Sequence, residues 1–161
     1  MAMTDLAQLF VEGGCTDVRT LIQSGNVIFK ASQSKLEKLP ALIAKSITER
    51  FGYNTPVVLR TVEQLAETIQ NNPFLKAGTA EDELHVYFLA NAPDARGIAS
   101  LDPARSSPDA FLVRGRDVYL KMPNGMARTK LSNAYFDSKL ATISTARNWR
   151  TILKLFELMQ K

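Results

Sequence analysis

Thr145, Arg147, Asn148 and Trp149 stand close together near the C-terminus and have the residue types of an anion site. The spacing predicts a final helix from about Thr145 to Met159, with Trp149, Ile152, Leu153, Phe156 and Met159 on one stripe. Ser144 or Thr145 is placed to cap it. A helix N-terminus presents free amides and a partial positive charge. Arg147 and Arg150 add fixed charge of the kind that grips phosphate or carboxylate with two parallel hydrogen bonds. The competing role is architectural: Trp149 in the core, with Arg147 and Asn148 bonded to nearby carbonyls or to Asp137.

Two further stretches carry anion chemistry. Ser24, Gly25 and Asn26 predict a tight turn whose amides can form an anion-binding nest. Gly25 and Asn26 equally suit a hairpin because they tolerate positive φ. Arg128, Thr129 and Lys130 follow the turn residues Asn124-Gly125 and are expected to open a helix. They lack the frame of a P-loop, and a capped helix with solvated charges explains them as well. His85 lies in a predicted strand without ligand partners at metal-binding spacing. Cys15 has no activating base beside it, and Asp17 disfavours a thiolate. Glu81-Asp82-Glu83 fits a solvated run ahead of a strand. No Ser/His/Asp set, metal cluster or nucleotide fingerprint is visible, so no cofactor is expected and catalysis is not favoured.

Composition narrows the class. The 161 residues are 45% hydrophobic and 22% charged, which excludes a disordered chain. No apolar run approaches the roughly 18–20 residues of a membrane span, and Met1–Leu6 lacks the basic and apolar regions of a signal peptide. With one cysteine no internal disulfide forms, which fits a reducing, cytoplasmic compartment. The net charge of +4 is uneven. Residues 1–104 hold nine Lys/Arg against twelve Asp/Glu, or −3, and residues 105–161 hold eleven against four, or +7. A basic C-terminal third suits a phosphate-containing ligand or nucleic acid. It equally serves as a solubilising surface.

The elements that must position these groups follow from periodicity. Met3–Val11 reads as a helix stopped by Gly13-Gly14. Val18–Ser24 and Asn26–Ala31 read as a hairpin. A helix over Ser34–Phe51 is interrupted by Pro40, which either shifts its start toward Lys38 or kinks it. Ser34 and Glu37 have capping-box spacing, as do Thr61 and Gln64. Thr55–Arg60 is expected as a short strand, and a helix through Leu65 and Ile69 ends at Asn71-Asn72-Pro73. After a polar linker at 76–82 come a strand Glu83–Ala90 and a short helix Asp94–Leu101. A hairpin Ala110–Val113 and Val118–Met122 follows, then a helix Thr129–Leu140, a short strand Ala141–Ser144 and the final helix.

The second half thus reads strand, helix, strand, strand, helix, strand, helix. The first half repeats this order without its opening strand. The expected fold class is α+β, two ferredoxin-like split βαβ subdomains, over 1–75 and 83–161, the first lacking that strand. The opening strand of such a unit lies mid-sheet, where both of its backbone ladders need partners.

Gln23-Ser24-Gly25-Asn26-Val27, Asn72-Pro73-Phe74, Arg128-Thr129-Lys130-Leu131 and Thr145-Ala146-Arg147-Asn148-Trp149 occur in this order and spacing. Together they make the chain resemble the bacterial domain-of-unknown-function family sixteen ninety-seven. The resemblance spans essentially the whole chain and implies a two-subdomain α+β fold with no established activity. It also implies an opening strand and a glycine-rich turn, Arg-Gly-Ile-Asn-Val-Gly-Gly, ahead of the first helix. Their lack here gives the expectation of a truncated form. The expected function is that of a small anion- or nucleic-acid-binding protein acting through the basic third. For nucleic acid, Tyr87, Tyr119 and Phe29 are the strand aromatics able to stack bases. An enzyme acting on a phosphorylated substrate, or a protein-interaction module, are the alternatives.

Overall fold

The structure, a computed structural model, describes residues 1–21 and 25–161. The chain divides into two compact units. One comprises Met1–Leu59 and Glu157–Lys161, the other Arg60–Phe156. The segment 76–82 therefore lies inside the second unit.

In the first unit, helix α1 (Met3–Glu12) buries Leu6, Leu9 and Phe10. It leads through Gly13 and Gly14 into strands β1 (Thr16–Leu21) and β2 (Asn26–Lys30), which pair antiparallel. A short helix α2 (Gln33–Leu36) and helix α3 (Leu39–Phe51) follow. The chain breaks between them because Pro40 lacks a donor, which only the first turn of a helix tolerates. The Ser34–Glu37 capping box does not form; Ser32 stands at the start of α2. Gly52, at φ +75, ends α3 in the left-handed conformation glycine favours. Leu39, Ile43 and Ile47 join the α1 residues in one core. The predicted strand Thr55–Arg60 is not a strand. Its apolar residues Val57 and Leu59 pack half-buried on that core, but no ladder among the described residues reaches its backbone.

The second unit opens with helix α4 (Val62–Gln70), capped by the reciprocal Thr61–Gln64 box. Asn72 then accepts from the amides of Phe74 and Leu75 to start helix α5 (Pro73–Lys76). A single 3-10 turn, Glu81–Glu83, precedes strand β3 (Leu84–Leu89). Helix α6 (Ala95–Ala99) is capped by Asp94, and strands β4 (Ala110–Arg114) and β5 (Asp117–Lys121) form a hairpin. Helix α7 (Asn133–Leu140), strand β6 (Ser144–Asn148) and helix α8 (Trp149–Met159) complete the chain.

The sheet order is β4-β5-β3-β6, antiparallel throughout. Tyr87, Leu89, Val118 and Leu120 point to one face and pack with Leu131, Phe136 and Leu140. Leu84, Val86, Phe88 and Tyr119 point to the other face and are buried too. There the Tyr119 hydroxyl donates to the Thr68 carbonyl of α4 at 2.8 Å.

Two expected boundaries moved. Helix α7 starts at Asn133 rather than Thr129 because the Ser132 hydroxyl accepts from the Tyr135 amide. The last strand falls at Ser144–Asn148, not Ala141–Ser144, and α8 begins at Trp149. Ladder bonding to β3 claims residues that helical periodicity alone assigns to the final helix. Among the described residues no helix is long and apolar enough to cross a membrane.

Candidate functional site

The shift of β6 dismantles the expected helix N-terminus at Thr145. Thr145, Ala146 and Arg147 are paired with Phe88, Tyr87 and Val86, so their backbones present no row of free helical amides. Arg147 is largely buried, burial holds its pKa below the ordinary value, and its Nη1 donates to the Ala146 carbonyl at 2.7 Å. Asn148 Oδ1 accepts from the Thr151 amide at 2.8 Å and so caps α8. Trp149 is fully buried. Asp137 accepts a bond from Ser144 Oγ at 2.6 Å.

Of the predicted turn, Ser24 lies outside the described residues. Gly25 has φ +74, the conformation expected of it, and is exposed. Asn26 is buried and its side chain donates to the Leu21 carbonyl at 3.4 Å, a bond across the hairpin.

Arg128, Thr129 and Lys130 do not open a helix. Arg128 ends a 3-10 turn, Met126–Arg128, after which Thr129 is extended and Lys130 lies in a bend. The Thr129 hydroxyl and the Lys130 backbone meet a loop that the sequence did not single out, 102–109. Ser106 organises the junction: its hydroxyl donates to Asp109 Oδ2 at 2.9 Å and accepts from the Lys130 amide at 2.9 Å. Arg105 Nε donates to the Lys130 carbonyl at 3.0 Å, and its guanidinium lies 4.1 Å from the centroid of the Tyr135 ring. Tyr135 in turn accepts from the Asp102 amide at 2.7 Å. Thr129 Oγ1 accepts from the Leu131 amide, and Tyr87 donates to the Leu131 carbonyl at 2.6 Å.

The result is a fixed platform in which two loops are stitched together at backbone level. Asp109 is buried beneath it. Arg105, Arg128 and Lys130 are exposed, and none has a carboxylate within 4.0 Å among the described residues. Arg105 is thereby held in place, and the three cations have no carboxylate counter-ion among the described residues. Such a surface contacts phosphate or carboxylate well.

A family model, described as protein of unknown function (DUF1697), matches residues 1–119. The chain belongs to this family. The match covers the first unit's Met1–Leu59 and runs to Tyr119 in β5; the residues at 128–130 and 147–149 lie beyond it. No protein with a curated description matches the chain. This DUF1697 chain is similar in fold to a solved structure, the conserved bacterial protein SP0830 from Streptococcus pneumoniae. The TM-score is 0.70 at 17% identity, covering 100% of this chain and 90% of that one.

The remaining candidates sit in ordinary surroundings. His85 is half-buried, and burial depresses its pKa. Cys15 is buried, which pushes its thiol pKa up against a smaller opposite pull from Lys35. Among the described residues no group of three or more His, Cys, Asp or Glu is placed to hold a metal ion.

Sequence patterning missed Arg105, Ser106 and Asp109 because the loop 102–109 has no periodicity. The one signal there was turn chemistry. Pro103 and Pro108, with Asp102, Ser106 and Asp109, make a stretch whose side chains bond nearby backbone.

Proposed function

We propose that the chain binds a phosphate-bearing polyanion, nucleic acid in the first instance, through the exposed cations of its second unit. One observation carries this. Every side-chain carboxylate of residues 105–161 is engaged within the chain, whereas Arg105, Arg128 and Lys130 have no ion pair among the described residues. Asp109 accepts from Ser106, Asp117 from Thr68, Asp137 from Ser144, and Glu157 meets Lys161. The basic balance in the sequence is therefore expressed at the surface instead of cancelling there.

The mode is contact with the phosphate backbone, not base stacking. Tyr87 and Tyr119 are buried with their hydroxyls bonded internally, and Phe29 packs on Phe10 with centroids 4.9 Å apart. Binding of this kind is insensitive to base sequence and weakens with salt. The test is fluorescence anisotropy of a labelled oligothymidylate across a potassium chloride series. The logarithm of the affinity is expected to fall linearly with the logarithm of salt. Arg128→Ala and Lys130→Ala are each expected to reduce that slope by about 1. Absence of binding at low salt, or a slope that both variants leave unchanged, would sink the proposal.

We also infer a ferredoxin-like split βαβ plan for the second unit. Its support is the succession β3-α6-β4-β5-α7-β6 combined with the order β4-β5-β3-β6. In the first unit, α1, β1, β2 and α3 follow one another as the same plan does from its second element on. A cytoplasmic location fits the single, buried Cys15.

A further inference from the structure

A half-open groove of about 300 Å³ lies on the sheet face that α4 covers, opposite the face on which Tyr87 reaches Leu131. Its floor is Asp117, Thr68 and Tyr119, beside Arg60. One wall is α4, presenting Gln64, Glu67 and Asn71. The other is the tip of the β4–β5 hairpin, presenting Arg114 and Arg116 around Gly115. Gly115 has φ +59, as a two-residue hairpin turn requires, and this turn sets the two arginines on either side of it.

The floor is bound together internally, although Asp117 Oδ1 is buried without a hydrogen bond among the described residues. Thr68 Oγ1 donates to Asp117 Oδ2 at 2.6 Å, and Arg60 faces Asp117 Oδ1 at 3.6 Å. The walls are not closed. Glu67 carries negative charge on one side, and Arg114 and Arg116 carry positive charge on the other. None of the three side chains has a hydrogen-bond or ion-pair partner among the described residues. Glu67 and Arg114 nevertheless both act on the Tyr119 hydroxyl, in opposite senses, so both flank the same floor. Oppositely charged walls that fail to meet across a concave space leave room for a ligand that meets both.

We infer that this groove binds a small zwitterion with two anionic groups and one ammonium group. The anionic groups face Arg114 and Arg116, each able to make paired hydrogen bonds to a carboxylate. The ammonium faces Glu67, and the side-chain amides of Gln64 and Asn71 serve the remaining donors and acceptors. The volume is at the small end of the range for ligand pockets, which limits the ligand to amino-acid size.

The probe is L-glutamate, with glutarate as the counterpart that lacks the ammonium group, followed by amide NMR on the full chain. Glutamate is expected to shift the Glu67 and Arg114–Asp117 amides saturably, and to bind at least about tenfold more tightly than glutarate. Arg114→Ala is expected to weaken both ligands about tenfold, and Glu67→Gln to erase the preference between them. Both side chains are exposed, so an unchanged urea midpoint verifies folding of each variant. Unsaturable shifts, equal affinity for the two ligands, or a preference that persists in Glu67→Gln overturns the assignment. The polyanion test uses the opposite face of the sheet, so either result stands without the other.

Discussion

Arg60→Ala is expected to destabilise the second unit by about 3–5 kcal/mol, the cost of breaking a buried charged network from one side. The Arg60 side chain is only 10% exposed. Its Nη2 donates to the carbonyls of Leu89 and Arg116, both at 2.8 Å, and its guanidinium lies 5.4 Å from the Phe88 ring centroid. One side chain thus ties the end of β3 to the β4–β5 turn and stands over the sheet. Burial lowers its pKa to about 10, with Asp117 pulling the other way, so it remains charged at neutral pH. Burial likewise raises the pKa of Asp117 against smaller opposite pulls from Thr68 and Arg60. Both shifts say that desolvation outweighs the mutual attraction. The stabilising content of Arg60 therefore lies in its two carbonyl bonds and its packing more than in the ion pair.

That assignment separates variants. Asp117→Asn keeps an acceptor for Thr68 and leaves both carbonyl bonds, so it is expected to cost less than Arg60→Ala. Arg60→Lys loses the planar fork and is expected to fall between wild type and Ala. The raised Asp117 pKa also fixes a pH sign. The folded state holds this proton more tightly than the unfolded one, so this group's contribution declines as pH rises through its folded value. Urea unfolding at constant m-value measures all of these. A loss below about 1 kcal/mol in Arg60→Ala would show that the network is ornamental.

Arg60 also marks the limit of what the sequence disclosed. Patterning puts it at the end of a short strand, and nothing near it in sequence announces a buried guanidinium. Its partners are 29 and 56 residues away. The elements that were legible are those whose signal is local. The Thr61–Gln64 cap needs four consecutive residues, and the β4–β5 hairpin needs alternation about a glycine. Where two local signals competed, tertiary pairing decided. Thr145–Trp149 fits a helix start by composition, yet β3 had an open edge and took Ser144–Asn148 as a strand. The basic third was legible as charge, but not where the charge would surface. That depends on Ser106, Thr68, Ser144 and Lys161 engaging its carboxylates, two of them between separate elements.

Alkaline titration is expected to unfold the second unit from its sheet core outward, beginning at Tyr87. This tyrosine is fully buried, and its hydroxyl donates to the Leu131 carbonyl at 2.6 Å. Ionisation removes that donor and leaves a phenolate in an apolar core facing a carbonyl dipole. Burial, with a smaller contribution from the Asp109 carboxylate, pushes its pKa up to about 12 from 10.0. The sign follows from proton linkage. Between these values the folded chain holds the proton and the unfolded chain has released it, so stability falls as pH rises. The stabilisation is complete below pH 10.0 and lost through about pH 12. A shift of about two units corresponds to roughly 2–3 kcal/mol. Tyr119 is shifted upward more strongly, again by burial first and then Asp117, and adds to the same slope. Arg60 and Arg147, both lowered by burial, act in the opposite sense over this range, so the comparison with a Tyr87 variant isolates the tyrosine part of the slope. Urea midpoints taken from pH 8 upward, with tyrosinate absorbance followed in parallel, are expected to show absorbance rising together with unfolding. Tyr87→Phe is expected to cost about 1 kcal/mol near neutrality, where Leu131 loses its donor, and to flatten the alkaline slope. Parallel slopes in the variant and the wild type would place the alkaline sensitivity elsewhere and remove Tyr87 from the account.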